Sequence, residues 1–113
     1  MYLNIFKYIF IILIIMEFIH PSDNTFTIYT KSGCPGCLKA KKLLSDLFIT
    51  PLIIDCDDYL IDYRSDFLQI IKKIANIEEN KVIFFPIIFE NKKYIGRYED
   101  LVKLPNCLLV SNF

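Results

Sequence analysis

Residues 25–44 of the chain read TFTIYTKSGCPGCLKAKKLL, and this stretch decides the fold. Its first six residues alternate polar with apolar side chains and are rich in β-branched and aromatic types, which predicts a strand over residues 25–30. Residues 31–33 then turn the chain into a Cys-Pro-Gly-Cys segment. Beyond that segment, apolar residues recur at helical spacing opposite a lysine-rich face, which predicts an amphipathic helix. Its apolar members are Ala40, Leu43, Leu44, Leu47 and Phe48.

A second strand and a second helix are predicted to follow. Pro51 is expected to end the first helix, and residues 52–56 form a short apolar run typical of a buried strand. Asp57 and Asp58 can open the next helix by accepting hydrogen bonds from its free amides. The apolar stripe of that helix recurs at helical spacing. It consists of Tyr63, Phe67, Ile70, Ile71 and Ile74.

A hairpin and a short final helix are predicted for the last third of the chain. Residues 86–89 and 93–95 have the composition of two strands, and Asn91 between them tolerates a positive φ. The final helix is expected over residues 98–107, interrupted by Pro105. The element order is therefore β-α-β-α-β-β-α. Strands separated by helices pair in parallel through right-handed crossovers, and the hairpin adds an antiparallel edge, which predicts an α/β fold with a mixed four-stranded sheet.

The composition indicates one folded domain behind an apolar leader. Of the 113 residues, 54% are apolar and 23% charged, which excludes disorder and allows a single core. Thirteen basic and thirteen acidic residues cancel, so no nucleic-acid partner is expected. Residues 8–16 are an uninterrupted apolar run, and a polar break over residues 20–24 follows it. We divide the chain into a leader, residues 1–22, and a domain, residues 23–113.

Three interpretations of the leader stay open. Residues 1–19 could associate with a membrane as an anchor, although their apolar stretch is shorter than the ~20 residues that cross a bilayer. The apolar run also fits the length of the core of a signal peptide, but no small-residue cleavage site follows it. In the third interpretation the extension is dispensable and the protein starts at Met16.

The four cysteines divide into one close pair and two singletons. Cys34 and Cys37 stand in a turn, whereas Cys56 and Cys107 stand in apolar stretches. This usage is typical of a reducing compartment with one working dithiol, so we expect a cytoplasmic protein. The singletons are predicted to be buried small apolar residues. Because a tetrahedral zinc site needs four ligands and no second close pair is present, no metal is expected.

Cys34 has the setting of an attacking thiol. Thiolate is the species that attacks disulfides, and a sulfur at the first turn of a helix is stabilised as thiolate by free amides and by the helix dipole. Such cysteines have pKa values lowered to roughly 3.5–7.5. Pro35 suits the first helical position. Cys37 lies nearly one turn further on, where a resolving thiol belongs, so the segment predicts disulfide exchange.

Two motifs resemble the glutaredoxin family, which has a thioredoxin-like fold. Residues 29–37, YTKSGCPGC, are similar to its strand–turn–active-site segment, and residues 85–96, FPIIFENKKYIG, are similar to the later block built around a cis-proline. The resemblance covers about residues 25 to 104. It implies a thioredoxin-like (glutaredoxin) fold and an enzyme that reduces protein disulfides or glutathione mixed disulfides. Glutathione would be the reductant and co-substrate.

The resemblance also implies a glutathione site. Lys31 would meet the glycyl carboxylate, and Phe85, just before the implied cis-Pro86, would offer its backbone to the cysteinyl part in the manner of an added strand. The γ-glutamyl end would be held by Gly96, Tyr98 and Glu99. The implied partners are glutathione and proteins that contain disulfides or are glutathionylated.

Five positions depart from the family pattern. Gly36 replaces the usual aromatic residue, Phe84-Phe85 replaces a threonine–valine pair, and Ile83 stands where a basic residue is common. Arg97 stands where a second glycine is common, beside the expected γ-glutamyl pocket. Two other functions stay open. One is an iron–sulfur cluster held by Cys34 of two copies with glutathione, and the other is a membrane-tethered factor that handles disulfides.

Overall fold

The computed structural model describes residues 18–105. Four strands form one sheet in the order β2-β1-β3-β4. β1 pairs in parallel with β2 and antiparallel with β3, and β3 pairs antiparallel with β4, so the predicted mixed four-stranded α/β arrangement is confirmed. The elements are β1 (Phe26–Thr30), α1 (Pro35–Asp46), β2 (Leu52–Asp55), α2 (Asp57–Asp62), α3 (Arg64–Ala75), β3 (Ile87–Glu90), β4 (Lys93–Gly96) and α4 (Tyr98–Leu101).

Strand β1 is central and is buried along its whole length. Ile28 faces an apolar cluster with α1 and α4, whereas Tyr29 faces a second cluster on the side of α2 and α3. The strand's polar residues are buried too, but each is hydrogen bonded. Thr27 Oγ1 accepts from the Ser22 amide at 2.8 Å, and Thr30 Oγ1 donates to the Ile54 carbonyl at 3.4 Å.

Helix α1 ends at Asp46, so the prediction that Pro51 ends it is wrong. The amides of Phe48 and Ile49 donate to carbonyls of the last turn at 3.0 and 2.9 Å, and Phe48 has a φ of +60°. These two bonds form a Schellman motif, which satisfies the helix end before the proline is reached. Phe48, which the sequence pattern placed in the apolar stripe, consequently lies outside the core and is 97% exposed.

The second helix of the sequence pattern is two helices, α2 and α3, separated at Tyr63. A continuous helix would place residues 59 and 67 about 12 Å apart along its axis. The break instead lets the Tyr59 and Phe67 rings stack, with centroids 4.9 Å apart and planes 6° apart. The predicted capping role of Asp57 is also wrong, because its carboxylate bonds to Ser32 and α2 has no side-chain cap.

The hairpin is close to its prediction, and the final helix is shorter than expected. Asn91 and Lys92 connect β3 to β4 with φ values of +48° and +71°. Two successive positive φ values are typical of the type I′ turns that suit the twist of a hairpin. Helix α4 has four residues and ends at Leu101, before the interruption predicted at Pro105, and residues 106–107 of the predicted helix lie outside the described residues.

Residues 18–22, assigned above to the leader, pack against the domain. Phe18 is buried, and its ring centroid lies 5.9 Å from those of Tyr29 and Phe67. Tyr29 Oη donates to the Ile19 carbonyl at 2.6 Å. Burial raises the pKa of Tyr29 well above its ordinary value, so the phenol keeps the proton that it donates.

The membrane segment predicted for residues 1–19 lies mostly outside the described part of the chain, which begins at residue 18. Within residues 18–105, no helix combines the length and the apolar character that a bilayer crossing needs. Cys107 also lies outside the described residues.

Candidate active site

Cys34 and Cys37 lie where β1 is followed by α1. The intervening turn contains Gly33 at a φ of +67°, a conformation that glycine adopts without steric penalty. Cys34 is the extended N-cap residue of α1, and Pro35 follows at the first helical position, where a missing amide leaves no helical bond unmade. The Cys37 amide donates to Cys34 Sγ at 3.1 Å. The sulfur therefore takes the place that a capping oxygen holds in other helices.

The two cysteines are joined by a disulfide, with their Cα atoms 5.3 Å apart. Cys34 is 9% exposed and Cys37 only 2%. Once reduced, the Cys34 sulfur would face free amides and the positive end of the helix dipole, both of which favour thiolate. The arrangement can therefore support exchange in which an outer sulfur is attacked from solvent and an inner sulfur attacks the outer one.

Pro86 forms a wall beside the disulfide. The Phe85–Pro86 peptide bond is cis, as the family resemblance implied, and Pro86 is buried. A Cβ built on Gly36 would lie only 3.1 Å from Pro86 Cδ and 3.9 Å from Tyr98 Cβ. Glycine at position 36 therefore allows the first turn of α1 to approach the proline more closely than any other residue would.

Three cations lie over aromatic rings around this wall. The pairs are Lys31 with Phe85 at 5.6 Å, Lys39 with Tyr98 at 5.9 Å and Arg97 with Phe84 at 4.9 Å from the ring centroid. All three distances are within the range at which the ring quadrupole attracts a cation. The Pro86 side of the disulfide is consequently basic and aromatic, which suits an anionic ligand with apolar parts.

Four of the predicted glutathione contacts therefore gather beside the cysteines. Lys31 lies over Phe85, and Pro86 and Tyr98 both border Gly36 in the first turn of α1. These residues come from three separate segments of the chain, which the antiparallel pairing of β1 with β3 and the hairpin bring together.

The other two, Gly96 and Glu99, lie at the junction of β4 and α4. The Arg97 amide donates to an Asp100 carboxylate oxygen at 3.0 Å, and a Cβ on Gly96 would overlap that carboxylate. Asp100 thus holds this turn, and the sequence analysis missed it, although an acidic residue at the third helical position is a known capping pattern. Glu99 is exposed, and the pKa of its carboxyl is lowered by a hydrogen bond from its own amide and by Arg97, 3.4 Å away.

Two hydrogen bonds tie the active-site turn to α2. The Ser32 amide donates to Asp57 Oδ1 at 2.9 Å, and the Ser32 hydroxyl donates to Asp57 Oδ2. These bonds lower the pKa of the Asp57 carboxyl, the hydroxyl bond most. The sequence analysis missed this contact because the two residues are 25 positions apart and no local pattern links them.

We expect Asp57→Asn to lower the melting temperature near neutral pH, because an amide cannot accept both hydrogen bonds from Ser32. A carboxyl whose pKa is depressed by folding stabilises the native state above its unfolded pKa of about 3.9, and this contribution is lost as the pH falls through the folded pKa. The wild type and the variant should therefore converge in melting temperature as the pH falls below about 3.9. Asp58→Asn removes the neighbouring charge without touching Ser32 and should differ less from the wild type. A difference between wild type and Asp57→Asn that is constant with pH would contradict this role.

Cys56 is buried at the end of β2, and its Sγ donates to the Ile54 carbonyl at 3.6 Å. Burial, followed by the charge of Asp55, raises the pKa of the thiol to about 12. It therefore stays protonated at neutral pH, and the prediction of a buried, small apolar residue is confirmed for Cys56. Across residues 18–105, no three His, Cys, Asp or Glu side chains are grouped so as to hold a metal ion.

The fold and the site together define a class of protein. A mixed sheet of order β2-β1-β3-β4, a Cys-Pro-Gly-Cys disulfide at a helix N-terminus and a cis-proline beside it are the features of thioredoxin-like proteins with a dithiol centre.

The chain belongs to the glutaredoxin family. The family model described as Glutaredoxin matches residues 26–95. Human mitochondrial glutaredoxin-2 is 32% identical over 83 residues, which cover 74% of this chain and 46% of that protein. Glutaredoxin-C4 of Arabidopsis thaliana is 30% identical over 81 residues, with 72% and 55% covered. The chain thus spans about half the length of these curated relatives.

Solved structures show the same fold. Glutaredoxin 1 of Francisella tularensis, crystallised with cacodylate, is 30% identical and superposes with a TM-score of 0.54 over 78% of this chain and 96% of its own. A wheat glutaredoxin gives a TM-score of 0.58 at 23% identity, covering 79% of each chain. A buckwheat glutaredoxin–glutathione complex gives 0.52 at 20% identity, covering 71% of this chain and 66% of its own.

Proposed function

We propose that the chain is a glutathione-dependent thiol–disulfide oxidoreductase that reduces protein disulfides or glutathione mixed disulfides. The observation that carries this proposal is the disulfide of Cys34 and Cys37 at the N-terminus of α1, beside the cis-proline. Cys34 is the nucleophile, because its sulfur caps the helix and is the more exposed of the two. Cys37 is the resolving thiol.

The exchange proceeds in three balanced steps. The Cys34 thiolate attacks one sulfur of the target disulfide, so that a mixed disulfide forms and the other target sulfur leaves as thiolate. Cys37 then attacks the Cys34 sulfur, which closes the intramolecular disulfide and releases the second target thiol. Two glutathione molecules finally reduce this disulfide, return both cysteines to thiols and leave as oxidised glutathione.

The basic, aromatic wall beside Pro86 supports glutathione as the electron donor. Lys31 lies over Phe85; in this proposal it meets the glycyl carboxylate, and the Phe85 backbone meets the cysteinyl part. In this proposal, Gly96, Tyr98 and Glu99 bind the γ-glutamyl end, which carries an amine and a carboxylate. The related buckwheat protein was solved as a glutathione complex, which supports the same ligand here.

Glutathione use can be tested with Lys31→Gln. Loss of the charge that meets the glycyl carboxylate is expected to raise KM for glutathione about five- to tenfold and to leave kcat nearly unchanged. Lys42→Gln is the matched control, since Lys42 is exposed on α1 and pairs with Asp46 instead. Turnover of a mixed disulfide of cysteine and glutathione, coupled to reduction of oxidised glutathione, measures both constants.

Two results would count against the proposal. Equal KM values for the wild type and Lys31→Gln would remove Lys31 from the glutathione site. If a synthetic dithiol drives Cys34-dependent reduction while glutathione does not, the chain is a disulfide reductase with a different donor. The wall beside Pro86, with Arg97 at its γ-glutamyl end, would then bind another anion.

Cluster binding and membrane tethering remain predictions of the sequence. A brown colour on anaerobic purification would reveal an iron–sulfur cluster. Membrane fractionation before and after deletion of residues 1–15 would test attachment through residues 1–19. The cytoplasmic location expected from the cysteine usage also remains a prediction of the sequence.

A further inference from the structure

A second groove opens on the other side of Cys34, between α1 and the edge strand β2. A cavity of about 520 Å³ begins at the disulfide, and a cavity of about 490 Å³ continues from it toward the end of α1. Lys41 and Ile53 line both cavities, so the two cavities adjoin at these residues, and together we call them the β2 groove. Its lining includes Cys34, Pro35, Leu38, Lys41, Phe48 and Ile53, and the charged residues Lys31 and Asp55 also line the cavity at the disulfide.

The β2 groove is apolar, and its apolar side chains are exposed. Leu38 is 68% and Ile53 46% exposed, although both lie beside the domain's core elements. Residues 35, 38, 41 and 45 follow one another at intervals of three and four, so one face of α1 forms the wall. β2 is the end strand of the sheet, and its outer edge has no strand partner within the described residues.

Phe48 combines an unfavourable backbone conformation with almost complete exposure of its ring. It occupies the left-handed position of the Schellman motif, where glycine or asparagine is usual and a bulky residue is strained. Asn76 holds the corresponding position after α3, so the turn itself does not require an aromatic residue. Its ring, almost wholly in solvent, gains nothing from the core. A bound partner that covers the ring would offset both the backbone strain at position 48 and the exposure of the ring to water.

We infer that the β2 groove binds an extended polypeptide segment of the disulfide substrate, with its reacting cysteine at Cys34 and its apolar side chains between Leu38 and Phe48. The groove begins at the reacting sulfur, so whatever fills it is held beside the exchange. A twelve-residue α1 is about 18 Å long, which matches five or six extended residues and exceeds the three of glutathione.

Lys41 favours a substrate segment that carries an acidic residue. Its side chain borders both cavities, and no carboxylate within residues 18–105 forms an ion pair with it. A segment with apolar residues around the cysteine and an acidic residue among them fits the groove best, because the acid can pair with Lys41 while the apolar side chains cover Ile53.

The inference rests on the proposed disulfide exchange and assigns its two reactants to two adjoining sites around Cys34, with Lys31 bordering both. The substrate segment lies in the β2 groove while its sulfur is bonded to Cys34, and Cys37 then releases it as a thiol. Glutathione approaches on the Pro86 side to reduce the resulting disulfide. The polypeptide therefore need not leave the surface before the next thiol can reach the site.

The test compares two substrates with the same sulfur chemistry. One is cystine, and the other is the disulfide-linked dimer of a nine-residue peptide with a central cysteine, leucine and valine on both sides, and one aspartate on each side. The wild type should show a KM for the peptide about tenfold below that for cystine. Phe48→Gly and Ile53→Ser should each raise the peptide KM about tenfold while leaving kcat and the cystine KM unchanged.

The variants separate docking from folding. Glycine adopts the positive φ of residue 48 more readily than phenylalanine, so Phe48→Gly should melt at the same temperature as the wild type or higher. Ile61→Ser is the matched control, because Ile61 is an exposed apolar residue of α2 outside the groove, and it should leave both KM values unchanged.

Three results would overturn the inference. Equal KM changes for peptide and cystine would mean that the variants disturb the cysteines and not a docking surface. A peptide KM insensitive to residues 48 and 53 would place the polypeptide elsewhere, and if Phe48→Gly also converts a dimer to a monomer in sedimentation, the groove joins two copies of the chain. If the wild type turns over neither substrate with glutathione or with a synthetic dithiol, the proposed function fails first and the inference fails with it.

Discussion

Replacing Cys34 by serine is expected to lower the turnover of every disulfide substrate by at least about a thousandfold, because a serine hydroxyl is neither ionised at neutral pH nor able to form a mixed disulfide. Cys37→Ser should affect the turnover of the two kinds of disulfide substrate differently. Glutathione mixed disulfides need only Cys34 and a second glutathione, so their turnover should persist, whereas stable protein disulfides need Cys37 to release the bound product. Steady-state rates with both substrate types, at fixed glutathione, measure the two effects.

Cys56→Ser provides the control for these cysteine substitutions. Cys56 is buried and has a raised pKa, so its replacement should leave kcat with both substrates unchanged. Activity that survives in Cys34→Ser would show that Cys34 is not the nucleophile. Loss of both activities in Cys37→Ser would assign Cys37 a part in the first attack.

The second large effect is expected on stability, from Phe18→Ala. The Phe18 ring is buried between those of Tyr29 and Phe67, and its removal leaves a void in the larger apolar cluster. Phenylalanine to alanine changes in cores lower the free energy of unfolding by about 3–5 kcal/mol. At roughly 4–8 °C per kcal/mol for a domain of this size, the melting temperature should fall by well over 10 °C.

His20→Ala is the comparison for this variant, because His20 is exposed and meets the same Phe18 ring only at its edge, with centroids 5.0 Å apart. It should change the free energy of unfolding by less than about 1 kcal/mol. Urea unfolding of both variants gives the two values. A Phe18→Ala protein as stable as the wild type would mean that residues 18–22 behave as leader, and the domain boundary predicted after residue 22 would hold.

The sheet and its helices were predictable because they depend on local patterns. The alternation in residues 25–30 and the helical spacing beyond Cys37 each have a short period that a single segment reveals. Pro35 and Gly33 mark the turn and the helix start by their own backbone preferences. The crossover rule then orders the strands without any knowledge of contacts.

The departures from prediction arise where side-chain contacts or the backbone bonds of a helix end, and not periodicity, decide the local structure. The break at Tyr63 accompanies the stacking of Tyr59 on Phe67, and the carboxylate of Asp57 turns from its own helix to Ser32. Phe48 continues the apolar period of α1, yet the Schellman motif ends the helix two residues earlier. Periodicity describes which face of a helix is apolar, but it does not say where the helix ends.

In the candidate site, too, some features follow from a local sequence pattern and others depend on contacts between distant segments. The Cys34–Cys37 disulfide follows from four adjacent residues, whereas the placement of Lys31 over Phe85 depends on the pairing of β1 with β3. Family resemblance supplied that second kind of information in advance. It did not supply Asp100, whose hydrogen bond holds the turn after β4.

The close approach of Gly36 to Pro86 has a consequence for how this chain can change over evolutionary time. The space at position 36 is set by a proline in a different part of the sequence, so the effect of a substitution at one position depends on the residue at the other. A Cβ at position 36 would stand 3.1 Å from Pro86 Cδ, so the proline or the first turn of α1 would have to shift by a few tenths of an ångström to accept a side chain. The two positions are therefore coupled through this contact, and the outcome of placing another family member's tetrapeptide in this chain depends on how far Pro86 can shift.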